Sequence, residues 1–169
     1  NDVIIMVHDY PKHYDELASK GITVGLSNQQ IGINPMLSGL KHLNRLEQVL
    51  LRQELADTKE DDLIVTNVNG EVIEATSANL FFWHNDVLCT PDITNSGVNG
   101  IMRQRVLQNY PDTLIKKVTL AELKTSKAMF ICNCVMGVMP VNSYNENNLS
   151  IRLPLSVRDS INEKAINAS

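Results

Sequence analysis

The chain has no long hydrophobic run, no block of basic charge, few cysteines and no histidines at metal-ligand spacing, and each absence excludes a class of function. None of its 169 residues lies in an apolar stretch near the roughly 20 that a membrane-crossing helix needs. The opening Asn-Asp-Val-Ile-Ile-Met-Val has neither the charged leader nor the cleavage site of a signal peptide, so a cytoplasmic location is expected. Fifteen Lys and Arg against 19 Asp and Glu leave a formal charge of −4, spread along the chain. No basic stripe could neutralise a run of phosphates, and nucleic acid is not an expected partner. The three cysteines are an odd number. Cys132 and Cys134 share a face if their segment is a strand, without the spacing of a zinc knuckle, so they are expected reduced and buried. His8, His13, His42 and His84 are scattered, which gives a metal site no support. The chain also lacks an initiating Met and enters at once an apolar segment, Val3 to Val7, that reads as a strand already under way. An incomplete chain is the expectation.

What is present suits one ordinary core. Hydrophobic residues make up 43% of the sequence, and the length favours a single domain. Lys12 to Lys20 has apolar residues at helical spacing before Gly21, and Ile22 to Ser27 alternates as a half-buried strand does. Asn28 to Gly39 reads as loop, punctuated by Gly32, Asn34 and Pro35. From Leu43 to Ala56, Leu43, Leu46, Val49 and Leu50 form an apolar stripe extended by Leu51 and Leu55. Arg45, Glu47, Arg52 and Glu54 supply its polar side, so an amphipathic helix is predicted. Asn69-Gly70 between β-rich runs predicts a hairpin over 62–74, and 79–90 a second across His84-Asn85-Asp86. Glycine-punctuated loop over Asn95 to Arg103 leads into a helix that runs to about Tyr110, and a strand at 113–118, a helix around 121–126, strands within 128–141 and a helix from Leu155 to Ala168 complete the reading. Hairpins interleaved with helices give an α+β, mixed α/β fold class rather than a regular βαβ series.

Four places could carry chemistry. Lys41 lies between a glycine-containing loop and a helix, flanked by Leu40 and Leu43, and apolar surroundings would favour a neutral, nucleophilic amine. Taken alone, a lysine near a helix start is more often a solvated charge. Glu74 ends an alternating strand, where a carboxylate can project into a cleft or rest on the sheet rim. Glu71 is its rival from the same strand. Gly97-Val98-Asn99-Gly100-Ile101-Met102 joins flexible backbone to a helix start whose free N–H groups favour an anion, a phosphate monoester above all. A plain loop-to-helix junction explains it equally well. Asn133, inside the apolar Cys132–Met136 segment, is a buried amide that needs partners.

Three of these blocks together resemble a known family. Lys41-His42-Leu43-Asn44-Arg45-Leu46-Glu47, then Glu74 ahead of Ser77-Ala78-Asn79-Leu80-Phe81, then Gly97 to Arg103, are similar in order and rough spacing to the fold-type-IV pyridoxal-phosphate enzymes. That family includes D-amino-acid and branched-chain aminotransferases. Within it, Gly39 to Leu50 and Gly97 to Gln104 look most like the aminodeoxychorismate lyase branch; branched-chain aminotransferases usually place a tyrosine shortly after the lysine, where Leu46 or its neighbours stand here. The likeness covers nearly all of residues 1 to 142.

The resemblance implies a hairpin-rich, barrel-like sheet with surrounding helices: the larger, cofactor-binding C-terminal domain across residues 1–169. A small N-terminal domain of the family has no counterpart here, so weak or absent activity is expected of this chain alone. The implied cofactor is pyridoxal 5'-phosphate. Lys41 would hold it covalently and serve as catalytic base, with Glu74 on its ring nitrogen and Ile101 and Met102 on its phosphate. Asn79 and Gly100 join this cofactor-binding set, and Asn133, Cys134 and Val135 are candidate contacts to a small-molecule substrate. The implied reaction converts 4-amino-4-deoxychorismate to 4-aminobenzoate and pyruvate in folate synthesis; transamination, or a domain fragment without turnover, are the alternatives. A homodimer is implied likewise.

Overall fold

A computed structural model describes residues 3–166. The elements are α1 (His13–Lys20), β1 (Ile22–Ile31), α2 (Leu46–Ala56), β2 (Asp62–Asn67), β3 (Val72–Ala75), β4 (Asn79–His84) and β5 (Val87–Pro91). They continue with α3 (Ile101–Asn109), β6 (Leu114–Lys116), α4 (Leu120–Lys124), β7 (Met129–Asn133), β8 (Gly137–Tyr144), β9 (Asn147–Asn148) and α5 (Arg152–Ile166). The strands run in the order β3-β2-β1-β8-β7-β4, and β4 pairs back onto β3, so this part of the sheet closes on itself. β5 and β6 extend it from β4. Closure leaves as edges only the short β6 and β9 among the described strands, which limits further pairing.

Period-two alternation sorts the strand side chains into two cores. Ile22, Val24, Ile64, Val72, Leu80, Phe82, Met129, Ile131, Met139 and Val141 fill one buried cluster, the barrel interior. The alternate residues Phe81, Phe130, Cys132 and Val138 face outward and pack with Val106 of α3 and with Val157 and Ile161 of α5. Phe81 and Phe130 are cross-strand partners whose rings stack at 4.9 Å. Each large apolar side chain so buried stabilises the fold by about 1.5–3 kcal/mol.

Both predicted hairpins form. Asn85 and Asp86 close the β4–β5 hairpin with φ of 49° and 62°, the left-handed pair that a tight two-residue turn requires. β1 outruns its expected end: Asn28–Ile31 are strand, because Gln30 and Ile31 pair with Thr66 and Asn67 beyond a register shift. The short β9 was not anticipated, α5 begins earlier than expected at Arg152, and Ala168 lies outside the described residues.

Two expectations fail. Val3–Val7 forms no strand and lies 75–91% exposed, since no other strand among the described residues pairs with it. α2 begins at Leu46 rather than Leu43, and its expected stripe points the wrong way: Leu46, Val49 and Leu50 are exposed, as is Leu43 ahead of the helix, while of the stripe only Leu51 and Leu55 are buried. The reason is polar. Glu54 accepts from the Ser27 hydroxyl, the Asn28 N–H and the Asn28 amide, and Glu47 accepts from the Gly32 N–H at 2.7 Å. These carboxylates, assigned to a solvent face by periodicity, instead fasten α2 to the irregular end of β1, where backbone donors lack ladder partners.

Candidate functional site

The site is built on the outside of the barrel. Residues directly opposite in antiparallel strands share a face. Val65 of β2 is opposite Glu74, Glu74 is opposite Asn79, and Asn79 is opposite Cys132, so these residues form one row. The β2–β3 register shifts between Val65 and Thr66, which leaves Ile73 as the extra residue of a bulge. Ile73 and Glu74 therefore both reach the outer face, where Ile73 packs with Leu51 and Ile93.

Glu74 is 5% exposed, and its Oε2 accepts the Val98 N–H at 3.0 Å. Burial pushes its carboxyl up to about 7, against the opposing pull of that N–H and of the charges of Arg45, Lys41 and Arg103. Asn79 grips the same loop: its amide donates to the Val98 carbonyl at 2.7 Å and its Oδ1 accepts the Gly100 N–H at 3.2 Å. A Cβ at Gly100 would lie 2.5 Å from Asn79 Oδ1, so any side chain there would displace the Asn79 amide. Gly97 is required twice over, by its φ of +92° and by Ile73 Cγ2 at 2.7 Å from a built Cβ. The rival Glu71 is engaged elsewhere, with Lys117 at 2.7 Å and with the Asn67 amide.

The loop carrying Lys41 is zipped to this one. Gly39 N–H donates to Gly97 O at 2.9 Å and Asn99 N–H donates to Gly39 O at 3.1 Å; Asn34 N–H and the Ser96 hydroxyl add further rungs. Lys41 follows two residues later, close enough for its charge to act on Glu74. It is exposed, and so are Leu40 and Leu43, so the apolar surroundings expected from its neighbours are not formed. A polar cleft of about 340 Å³ opens alongside, lined in part by Asn34, His42, Asn44, Arg45, Ser96 and Gly97.

Immediately after Gly100, α3 begins with no capping side chain. The N–H groups of Ile101 and Met102 thus lack intrahelical acceptors at the positive end of the helix. Arg103, one residue on, is buried.

Asn133 to Val135 stand apart from this cluster. Asn133 is half-buried rather than buried, and it satisfies itself: its Oδ1 accepts the N–H groups of Val135 and Met136, both at 2.9 Å, and its amide donates to Ser77 O. It shapes the β7–β8 turn. Because β7 ends at Asn133, Cys134 does not continue the alternation; Cys132 is buried as expected, whereas Cys134 is exposed, contrary to expectation. Cys134 and Val135 line a groove of about 420 Å³ with Tyr10 and Arg158, and the Val135 N–H is already occupied by Asn133.

The structure thus brings together Lys41, Glu74, Asn79, Gly100, Ile101 and Met102, and leaves the Asn133 turn at a separate groove. Sequence reasoning gave no role to Val98, whose N–H and carbonyl are both held by side chains of the site, nor to Arg45 and Arg103. The two arginines lay inside the quoted blocks, but nothing in their spacing told them from surface charges. One buried carboxylate, three cations around it and two free N–H groups suit a ligand that carries both a protonatable ring nitrogen and a phosphate.

Comparison with known proteins points the same way. The family described as amino-transferase class IV matches residues 1–144. An aminodeoxychorismate lyase of Vibrio harveyi is 34% identical over 157 residues, covering 90% of this chain and 58% of that protein. A D-alanine aminotransferase of Bacillus licheniformis is 30% identical, covering 68% of this chain and 42% of its own length. The crystal structure of 4-amino-4-deoxychorismate lyase from Pseudomonas aeruginosa superposes with a TM-score of 0.83 at 30% identity, over 88% of this chain and 57% of that one. The chain spans little more than half the length of these lyases.

Proposed function

We propose, from the premise that this chain belongs to the class IV amino-transferase family, that it is the cofactor-carrying domain of a pyridoxal-phosphate-dependent lyase. Its reaction is the conversion of 4-amino-4-deoxychorismate to 4-aminobenzoate and pyruvate. The observation that carries the cofactor assignment is Glu74: a buried carboxylate with one backbone donor and no ion-pair partner among the described residues, within reach of the charge of Lys41. The choice of the lyase rests on the likeness to the Vibrio harveyi enzyme over most of the chain.

Pyridoxal phosphate, when bound, supplies an electron sink beside the substrate's amine. Lys41 would hold the cofactor through Nζ, and its free amine would take the proton from the carbon that bears the substrate's amine. Glu74 would accept a hydrogen bond from the protonated ring nitrogen and keep that proton in place. The N–H groups of Ile101 and Met102 would bind the phosphate, with Asn79 and Gly100 holding them in position. The substrate's carboxylate is proposed at the Asn133–Cys134–Val135 turn on the likeness to the family alone, since the turn borders a separate groove and its Val135 N–H is held by Asn133. Loss of the enolpyruvyl ether as pyruvate leaves an aromatic ring, a driving force that transamination lacks. The likeness to a D-alanine aminotransferase supports transamination as the second reading. A homodimer is proposed as well, supported by the exposed Leu46 and Val49 of α2 and tested by sedimentation.

The test is the absorption spectrum of the purified chain with added pyridoxal phosphate, before and after borohydride, followed by peptide mapping. A reducible band whose adduct maps to Lys41 is expected; an adduct elsewhere, or no band from folded protein, removes the reading. Pyruvate release from 4-amino-4-deoxychorismate supports the lyase. Conversion of the cofactor to its amine form, reversed by a keto acid, favours transamination. Both assays use the 169-residue chain, which spans 58% of the length of the Vibrio harveyi enzyme.

A further inference from the structure

Arg103 is 4% exposed and belongs to no ion pair among the described residues. Its Nη1 donates to Asn99 Oδ1 at 3.1 Å, its Nη2 donates to Pro91 O at 3.2 Å, and its Nε is buried without a partner. A guanidinium removed from water with only neutral acceptors is costly, and a well-packed apolar side chain in its place would often be as stable or more so. The fold alone therefore gains little from charge at this position. Its surroundings are those of the site: Asp92 and Glu74 are the carboxylates whose charges act on it, and the buried, neutral Cys132 thiol lies beside it.

What Arg103 holds is Asn99. The rest of Asn99 is engaged too, its N–H with Gly39 O at 3.1 Å and its carbonyl with the Gln104 amide at 3.1 Å. A continuous path thus runs from Arg103 through the Asn99 side chain and backbone to Gly39, two residues before Lys41. The neighbouring anchors, Glu74 and Asn79, hold Val98 and Gly100 but not Asn99. We infer that Arg103 is a positioning residue: by gripping Asn99 against the Pro91 end of β5, it fixes both the start of α3 and the loop that carries Lys41. This rests on the proposed pyridoxal-phosphate site, but the rigidity it assigns is a property of the ligand-free chain.

The experiment compares wild type with Arg103→Met, Arg103→Lys and Asn99→Ala. Two quantities are read: amide hydrogen exchange at residues 97–102 and 39–41 in the ligand-free chain, and the Kd for pyridoxal phosphate by absorption. In Arg103→Met, exchange in both loops is expected to rise while β7 and β8 stay protected, and Kd to rise about ten-fold or more, as for loss of charge-assisted hydrogen bonds. Arg103→Lys should recover part of the affinity, because it keeps the charge but loses the fork. Asn99→Ala breaks the same path without touching the buried charge and must loosen both loops; it carries the test if Arg103→Met exposes the barrel. Loops unchanged in Asn99→Ala, or an Arg103→Met chain that binds pyridoxal phosphate as wild type does, overturns the inference. Wild type that fails to bind pyridoxal phosphate while the exchange differences persist overturns the cofactor reading instead.

Discussion

Glu74 and Asn79 face one another across β3 and β4, and their side chains hold the two ends of one three-residue segment, Val98 by its N–H and carbonyl and Gly100 by its N–H. A single cross-strand pair thus sets where α3 begins. It also leaves one Glu74 oxygen without a hydrogen-bond partner among the described residues, the atom available to a ligand.

That burial makes Glu74 a pH-dependent liability in the ligand-free chain. Its carboxyl titrates at about 7 when folded against an ordinary 4.5, so between these values the folded chain keeps a proton that the unfolded chain has lost. Stability therefore falls as pH rises through the window, by at most roughly 3 kcal/mol for a shift of this size. Glu74→Gln should unfold at a higher temperature than wild type at pH 8, with little difference at pH 4, while binding pyridoxal phosphate more weakly at both. Thermal melts at the two pH values decide it; equal melting temperatures at pH 8 would refute the assignment of cost to the buried charge.

Gly100 is needed for space alone, since its φ of −62° suits any residue. Gly100→Ala puts a methyl against Asn79 Oδ1 and should cost about 1–3 kcal/mol by overpacking, with loss of phosphate binding. Asn79→Ala in the same chain removes the clash, so the double variant should melt higher than the two single losses added together. Additive losses would mean that Asn79 is not what Gly100 accommodates.

Much of this was legible in sequence, and what was not has definite causes. Asn-Gly and Asn-Asp turns and the glycine-punctuated start of α3 are local signals, so the hairpins and the anion-favouring helix end could be read directly. The β-bulge that turns Glu74 outward depends on pairing with β2, and strict alternation from Val72 would have sent Glu74 into the barrel. The reversal of α2 had the same origin: Glu47 and Glu54 look solvent-facing by period, but irregular backbone at the end of β1 offers them donors. Asn133 read as a core amide because its neighbours are apolar, whereas the chain turns there and the side chain closes the turn.

Asn133→Ala should therefore act on a turn. It removes acceptors from the Val135 and Met136 N–H groups and the donor to Ser77 O, for an expected loss of about 1–2 kcal/mol, with faster exchange confined to 133–137. Loss of protection throughout the barrel interior would show instead that Asn133 supports the core.

The three thiols offer a direct probe of the same turn. Cys89 and Cys132 are buried, and burial pushes both thiols up, so neither presents a thiolate at neutral pH; Cys134 alone is exposed. A thiol reagent should therefore modify one cysteine of the folded chain quickly, mapping to Cys134, and all three after denaturation. If the turn contacts the substrate's carboxylate, a carboxylate-bearing substrate analogue added with pyridoxal phosphate should slow labelling of Cys134, while pyridoxal phosphate alone leaves it nearly unchanged. Slowing by the cofactor alone would bring the turn to the cofactor rather than the substrate. No slowing by either would leave the groove beside Tyr10 and Arg158 outside the site and remove Asn133, Cys134 and Val135 from the substrate contacts.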